Sequence, residues 1–394
     1  MIKKNILILG GGFAGLEAAI FLRKKGYEVA LISNREFMYV YPISIWIPTK
    51  EIDFNNAKLS LKELSNIHGF EFIQDEVESI NAAEKIVKCK NGEYKSEYLV
   101  IAIGASKIKM QGSECFNSIC GSPDEALKIK DELDRLIQKG SGVISIGFGG
   151  NPKDKSAVRG GPAFEVLFNI HNKLKKLGIR DKFELNFFAP MKEPGAKMGK
   201  KALSAMDMMF SKMKINKFVG KKIPKFECKD DKKIVWFEDA SKLESDMIMF
   251  IPGGAGHPVF KNSDLPLNDA GFIKINDYCE VEGFQGVYAI GDSAAMMSGP
   301  EWKAKQGHIA EVMAKNVAHN IDVDIKGNGQ KESYVHHLNI ICVMDTGDGA
   351  AFVYRDEKKA IMIPMPFIGH LMKKGWGWYY KNSKLNKIPR LPGL

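Results

Sequence analysis

The chain's 394 residues suffice for two or three domains, each with a sizeable core. Its 45% apolar and 26% charged composition is that of an ordinary soluble globular protein, and no apolar run approaches the length of a membrane-spanning helix. A formal net charge of +10 points to an anionic partner: a membrane surface, nucleic acid or a small anion.

Met1-Ile2-Lys3-Lys4 alone precede the first predicted strand, residues 5–9, so no signal peptide is expected and the protein reads as made in the cytoplasm. Gly10-Gly11-Gly12-Phe13-Ala14-Gly15 follows the strand at once, then a helical pattern over 16–22 and a second strand over 28–33. In this order a dinucleotide pyrophosphate rests on a helix N-terminus. Gly10 makes the tight turn, Gly12 admits the pyrophosphate, Gly15 lets helix and strand pack closely, and Phe13 and Ala14 complete the binding turn. Where an acid would hold a ribose stand Ser33 and Asn34, either of which can hydrogen-bond a ribose hydroxyl.

Next comes a strand over 98–103, with Ala102 in it and Gly104 at its end. The inserted unit that follows reads as a helix over 123–138, a strand over 143–146, a helix over 162–177 and a strand over 183–188. Its phosphate turn opens with Gly147 and Gly149, but Pro152 stands where a third glycine is due, and residues 153–155 are charged. The second strand ends in Ala189-Pro190, without an acid for a ribose or an arginine for a 2′-phosphate, which disfavours NADH. The basic, methionine-rich stretch 191–233 reads as a helix pair around a methionine-filled core.

Residues 286–290 form a further strand, ending in Gly291-Asp292. Flavoproteins with two nucleotide-binding domains carry both late landmarks. There the aspartate holds the ribityl chain, and the next helix, expected here over 305–319 from Lys305, aims its N-terminus at the flavin. FAD is therefore the expected cofactor. The expected fold is α/β, with two Rossmann-like dinucleotide-binding domains plus a C-terminal membrane-associating region. Residues 1–112 and 252–325 would form the FAD-binding domain, 113–251 the second Rossmann-like domain, and 326–394 the C-terminal region. The six cysteines, Cys89, Cys115, Cys120, Cys228, Cys279 and Cys342, show no Cys-x-x-Cys, so neither a metal site nor a disulfide scaffold is expected. His336-His337 reads as surface.

The chain resembles the sulfide:quinone oxidoreductases, with the related flavocytochrome c sulfide dehydrogenase flavoprotein, almost end to end. Residues 31–34 with Pro42 and Trp46 look like the family's second-strand segment. Gly161-Pro162-Ala163-Phe164-Glu165 is similar to its Gly-Pro-Ala-Tyr-Glu, whose glutamate lies near the flavin. Gly307-His308-Ile309-Ala310-Glu311 and Ala314-Lys315-Asn316 look like its last flavin-domain helix. The resemblance implies sulfide oxidation through cysteines beside the flavin, with electrons passed to a quinone. Cys342 matches one redox cysteine, and Cys120 lies near a second that can attach to the flavin methyl. The third should precede Gly160, and Ala157-Val158-Arg159 is there instead; a histidine due near Ala196-Lys197 is also absent. Cys115 or Cys120 would then be the partner, or Cys342 would carry a persulfide alone. Arg159 would hold an anionic donor or depress a nearby thiol, and Glu165 would handle a proton. The plainer readings are a packed cysteine for Cys342 and an exposed first-turn charge for Glu165.

From His370 onward the tail holds six basic residues, no acid, and Trp376, Trp378, Tyr379 and Tyr380. With the apolar segment 361–372 this reads as a monotopic foot on a membrane, and Lys373, Trp376 and Tyr379 fall where the family has its quinone. The expected partners are sulfide or a small sulfur donor, a quinone and a membrane surface; a homo-oligomer is allowed and no nucleic acid is expected. The rivals are a type II NADH:quinone oxidoreductase and a catalytically silent flavin-binding redox protein.

Overall fold

A computed structural model describes residues 1–391, so the last three residues of the expected C-terminal region lie outside the described residues. β1 (Ile2–Leu9) runs from an exposed start to four buried residues, as a strand covered on both faces must. It leads through the glycine turn into α1 (Phe13–Lys24) and returns in parallel as β2 (Val29–Ser33), with Ile6 opposite Val29. A single helical turn at Tyr41–Ser44 brings in the fully buried Trp46, and α2 (Leu61–His68) leads on to β3 (Glu71–Gln74). β4 (Val77–Asn81), β5 (Ile86–Cys89) and β6 (Glu93–Ile101) complete this half, β6 lying parallel to β1.

The second domain is built on α3 (Glu125–Lys139), β7 (Gly142–Phe148), α4 (Gly161–Lys176), β8 (Phe183–Ala189), α5 (Lys200–Lys212) and β9 (Ile215–Val219). β10 (Lys225–Lys229), β11 (Lys232–Trp236) and β12 (Lys242–Ser245) form an antiparallel sheet, and β13 (Met247–Ile251) completes the parallel order β9-β8-β7-β13. Aromatic rings fill its core: Phe187 stacks on Phe164 at 4.9 Å and meets Phe210, tilted, at 5.2 Å.

Stretch 191–233 is therefore not a helix pair. It holds one helix, then three strands, because Ile215, Phe226 and Val235 bury their side chains on sheet faces. A second correction concerns the cysteines. Cys115 is disulfide-bonded to Cys228 on β10, the Cα atoms 5.5 Å apart and 113 residues apart in sequence. The crossover segment runs beside β10, where Phe226 N donates to Gln111 O at 2.9 Å and Phe116 packs on Phe226, and this pairing brings the two thiols together. No spacing rule could have shown it.

The chain returns along its own path, Gly254–Gly256 pairing antiparallel with Ala105–Lys107. β14 (Val287–Ala289) joins β6, giving a first sheet ordered β3-β2-β1-β6-β5-β4 with β14 also on β6. α6 (Gly307–Lys326) packs on α1. The antiparallel meander β15 (Ile340–Asp345), β16 (Gly349–Arg355) and β17 (Ala360–Pro366) ends the sheets, and α7 (Ile368–Lys384) follows. The expected apolar segment 361–372 is thus split between a strand and a helix, at Phe367 with φ 61°.

Candidate functional site

At the first glycine turn, α1 starts from Gly12 with no side-chain cap and no acid in its first turn. A Cβ on Gly12 would meet nothing within 4 Å, so the space over the helix N-terminus is open. A Cβ on Gly15 would fall 1.8 Å from Gly10 O, so only glycine lets helix and strand approach this closely. The opening belongs to a cavity of about 1740 Å³ that Gly10, Gly12, Phe13, Ala14, Ser33, Asn34, Ala102 and Gly104 all line. Ser33 is buried and its Oγ accepts from Arg35 N at 3.3 Å; Gly104 N donates to Ser293 Oγ at 2.9 Å. Gly291 and Asp292 line the same cavity, and so does the start of α6, again without a side-chain cap. Two uncapped helix N-termini and a glycine cradle fit a dinucleotide.

Lys305 lies two residues ahead of α6, which begins at Gly307 and not at Lys305 as the sequence suggests. Its buried Nζ donates to Ala294 O and sits 4.1 Å from the Phe272 ring centroid, and burial holds the ammonium down at about 8. Arg159 and Asp292, expected in separate roles, form an ion pair. Burial alone would raise Asp292, but Arg159, Lys305 and Lys107 hold its carboxyl below the usual range.

Cys342 and Cys120 line this one cavity, and both are free thiols. Cys115 is not available to them, because Cys228 holds it. Burial and the Glu165 carboxylate push the Cys342 thiol up to about 12, with Lys373 acting the other way. Glu165 is no exposed first-turn charge: it is 4% exposed, pairs with Lys373 of α7, and accepts from Asp345 N at 2.8 Å. Burial raises its carboxyl while Lys373 opposes the rise.

The structure adds residues that the sequence reading did not single out. Asp345, fully buried, accepts from Trp46 Nε1 at 2.8 Å, Asn169 Nδ2 at 2.8 Å and His370 Nδ1 at 2.7 Å. His370 Nε2 lies 3.2 Å from Glu51, which also meets Lys374 at 2.8 Å. The spacing of His370, Lys373 and Lys374 marks one helix face and was the available signal. Lys107 also lines the cavity, with its ammonium lowered by burial, as does Lys197, whose Nζ donates to Lys155 O at 2.5 Å and Lys303 O at 2.8 Å.

At the second glycine turn, Gly149 N donates to Ile251 O and Asn151 Nδ2 to Gly254 O, both at 2.8 Å. α4 begins only at Gly161, so its N-terminus is separated from the turn and lines the shared cavity. Glu193, four residues beyond β8, does reach the cavity wall.

Two dinucleotide-type folds around one cavity, with a thiol and a buried acid–base pair on its wall, define a two-domain nucleotide-dependent oxidoreductase. The family described as pyridine nucleotide-disulphide oxidoreductase matches residues 4–314, and the chain belongs to it. The sulfide-quinone reductase of Aquifex aeolicus is 27% identical over 96% of this chain and 89% of its own length. A type II NADH:quinone oxidoreductase of Staphylococcus epidermidis is 23% identical over 89% of this chain and 90% of its own. Among solved structures, the sulfide:quinone oxidoreductase of Aquifex aeolicus superimposes with a TM-score of 0.85 at 25% identity, covering 97% of this chain and 92% of that one. The protein is accordingly a flavoenzyme similar to the sulfide:quinone oxidoreductases.

Proposed function

We propose that the protein oxidises sulfide, or a related small sulfur donor, and passes the electrons to a membrane quinone. The observation that carries this reading is one continuous cavity whose wall holds Cys342, the Glu165–Lys373 pair and the glycine turn at 10–14. Likeness to the Aquifex sulfide-quinone reductase along nearly the whole chain supports it. FAD, held by Gly10, Gly12, Phe13 and Ala14 at its pyrophosphate, with Gly15 letting the helix pack close behind the turn, Ser33 and Asn34 at a ribose, and Asp292 at the ribityl chain, supplies a two-electron store when bound.

Cys342 takes up the donor sulfur. Its thiol and a hydrosulfide ion become a persulfide anion: one S–S bond forms, the two electrons released go to the flavin store and on to the quinone, and of the two protons one goes to Glu165 and one to solvent. Glu165, buried beside the thiol, is placed to receive a proton and Lys373 to balance the charge. Cys120 and Lys107 line the cavity beside the Arg159–Asp292 pair, a thiol and an ammonium within reach of a sulfur chain.

At the acceptor end Lys373, Trp376 and Tyr379 line the cavity on α7, and a quinone there takes two electrons and two protons. α7 is inverted relative to a soluble amphipathic helix: Lys373 and Lys384 are buried, while Ile368, Leu371, Met372 and Trp378 are exposed. That inversion supports peripheral attachment to a membrane, with lysines and aromatic rings at headgroup level. Among the described residues, no helix is long and apolar enough to cross a membrane.

One observation favours a second reading, NADH as the donor: Glu193 on the cavity wall could meet a ribose. Anaerobic bleaching of the bound flavin with sulfide and with NADH in parallel, followed by reoxidation with a soluble quinone, separates the two. We expect sulfide to bleach it and NADH not; bleaching by NADH alone sinks the main reading. Cys342→Ser should keep FAD but lose sulfide-dependent bleaching, and an unchanged rate removes Cys342 from the mechanism.

A further inference from the structure

The acceptor wall is held by residues that do not touch the cavity. His370, Lys373 and Lys374 project from the first two turns of α7, and each meets a carboxylate from a different part of the chain. His370 meets Asp345 at the end of β15, Lys373 meets Glu165 on α4, and Lys374 meets Glu51 beyond the Trp46 turn. His370 alone makes two such contacts, Nδ1 to Asp345 and Nε2 to Glu51. Trp46 packs edge-on against its ring, with centroids 5.7 Å apart.

The division of Asp345 is informative. Its Oδ2 accepts from Trp46 and Asn169, whereas its Oδ1 accepts from His370. Without the imidazole that buried oxygen has no partner. The same network orients Glu165: Asp345 N donates to Glu165 Oε1, and Asn169 Nδ2 donates to Glu165 O at 2.8 Å. Lys373 and Glu165 line the cavity; His370, Asp345 and Glu51 do not.

We propose that His370, bridging Asp345 and Glu51, is a positioning residue for the electron-acceptor end: it pins the first turns of α7 so that Lys373 meets Glu165 at the cavity wall. The proposal rests on the quinone reading above. The charged groups around the imidazole are Asp345 from β15, Glu51 from the loop, Lys373 and Lys374 from its own helix, and Glu165 from α4. The Asp345 hydrogen bond first, and Glu51 second, lift His370 from its ordinary 6.5 to about 9. A raised imidazole contributes fully below its ordinary value and loses its contribution as pH rises through about 9. Burial opposes ionisation of Glu51, but His370 and Lys374 hold its carboxyl at about 2, so the bridge persists on the acid side.

The test uses the full chain with its flavin, photoreduced anaerobically without sulfide and mixed with a soluble quinone across pH. Wild-type reoxidation should fall along an alkaline limb near pH 9. Glu51→Gln should move that limb to lower pH. His370→Gln should slow reoxidation of the photoreduced flavin roughly tenfold or more, with the limb abolished. Wild-type reoxidation rates and an unmoved limb in both variants overturn the positioning role. Should His370→Gln fail to fold, the limb of Glu51→Gln decides alone. A wild-type flavin that quinone does not reoxidise overturns the acceptor reading, and this proposal with it.

Discussion

Glu165 and Lys373 have side chains 5% and 8% exposed, so each depends on the other to keep its charge out of water. Removing one partner of a buried pair costs about 3–5 kcal/mol, whereas replacing both is often near neutral. Lys373→Met should therefore lower the unfolding free energy in urea by about that much, and adding Glu165→Gln should restore most of it. If the double variant is as weak as the single, lost packing and not stranded charge explains the effect. At this scale the sequence was informative about Glu165, through the Gly-Pro turn before it, and silent about its surroundings. That a lysine 208 residues away lies buried against it follows from how α7 docks. Asp345 was hidden for the same reason, since its three side-chain donors come from three separate segments.

Among the elements, β1, α1 and β2 were legible because a glycine turn between strand and helix restricts the backbone to few geometries. The meander and α7 were not, because an apolar run of a dozen residues with two prolines fits a strand, a helix start or an interfacial segment equally well. What divides them is Phe367, held at φ 61° and ψ −58° and 80% exposed. A non-glycine residue there carries about 1–3 kcal/mol of strain, and nothing in the fold is gained by exposing its ring. Phe367→Gly should raise the unfolding free energy by about 1 kcal/mol, the strain relief exceeding glycine's entropic cost. It should also weaken binding to vesicles containing anionic lipid roughly tenfold or more, as expected from about 1.5–3 kcal/mol of lost apolar burial. Undiminished flotation with such vesicles would mean that this tip does not enter the bilayer.

For the molecule as a whole, the number and kind of its nucleotide folds could be read from glycine turns and buried strands, but the way the chain fastens itself together could not. α7 closes over both halves of the structure. Lys373 reaches α4 at one end; at the other, Lys384 reaches Glu17 of α1 and Glu311 of α6. Such contacts join residues hundreds of positions apart and leave no local pattern. The disulfide is of the same kind and has an analytical consequence. Cys115–Cys228 makes a covalent ring that contains α3, β7, α4, β8, α5 and β9. A tryptic cut inside it, for example after the exposed Lys200 or Lys201, leaves both fragments linked. The nicked protein should migrate as one band without reductant and as two with it, and alkylation of the unreduced, denatured chain should label four thiols. Six labelled thiols, or two bands without reductant, would show that the ring is open.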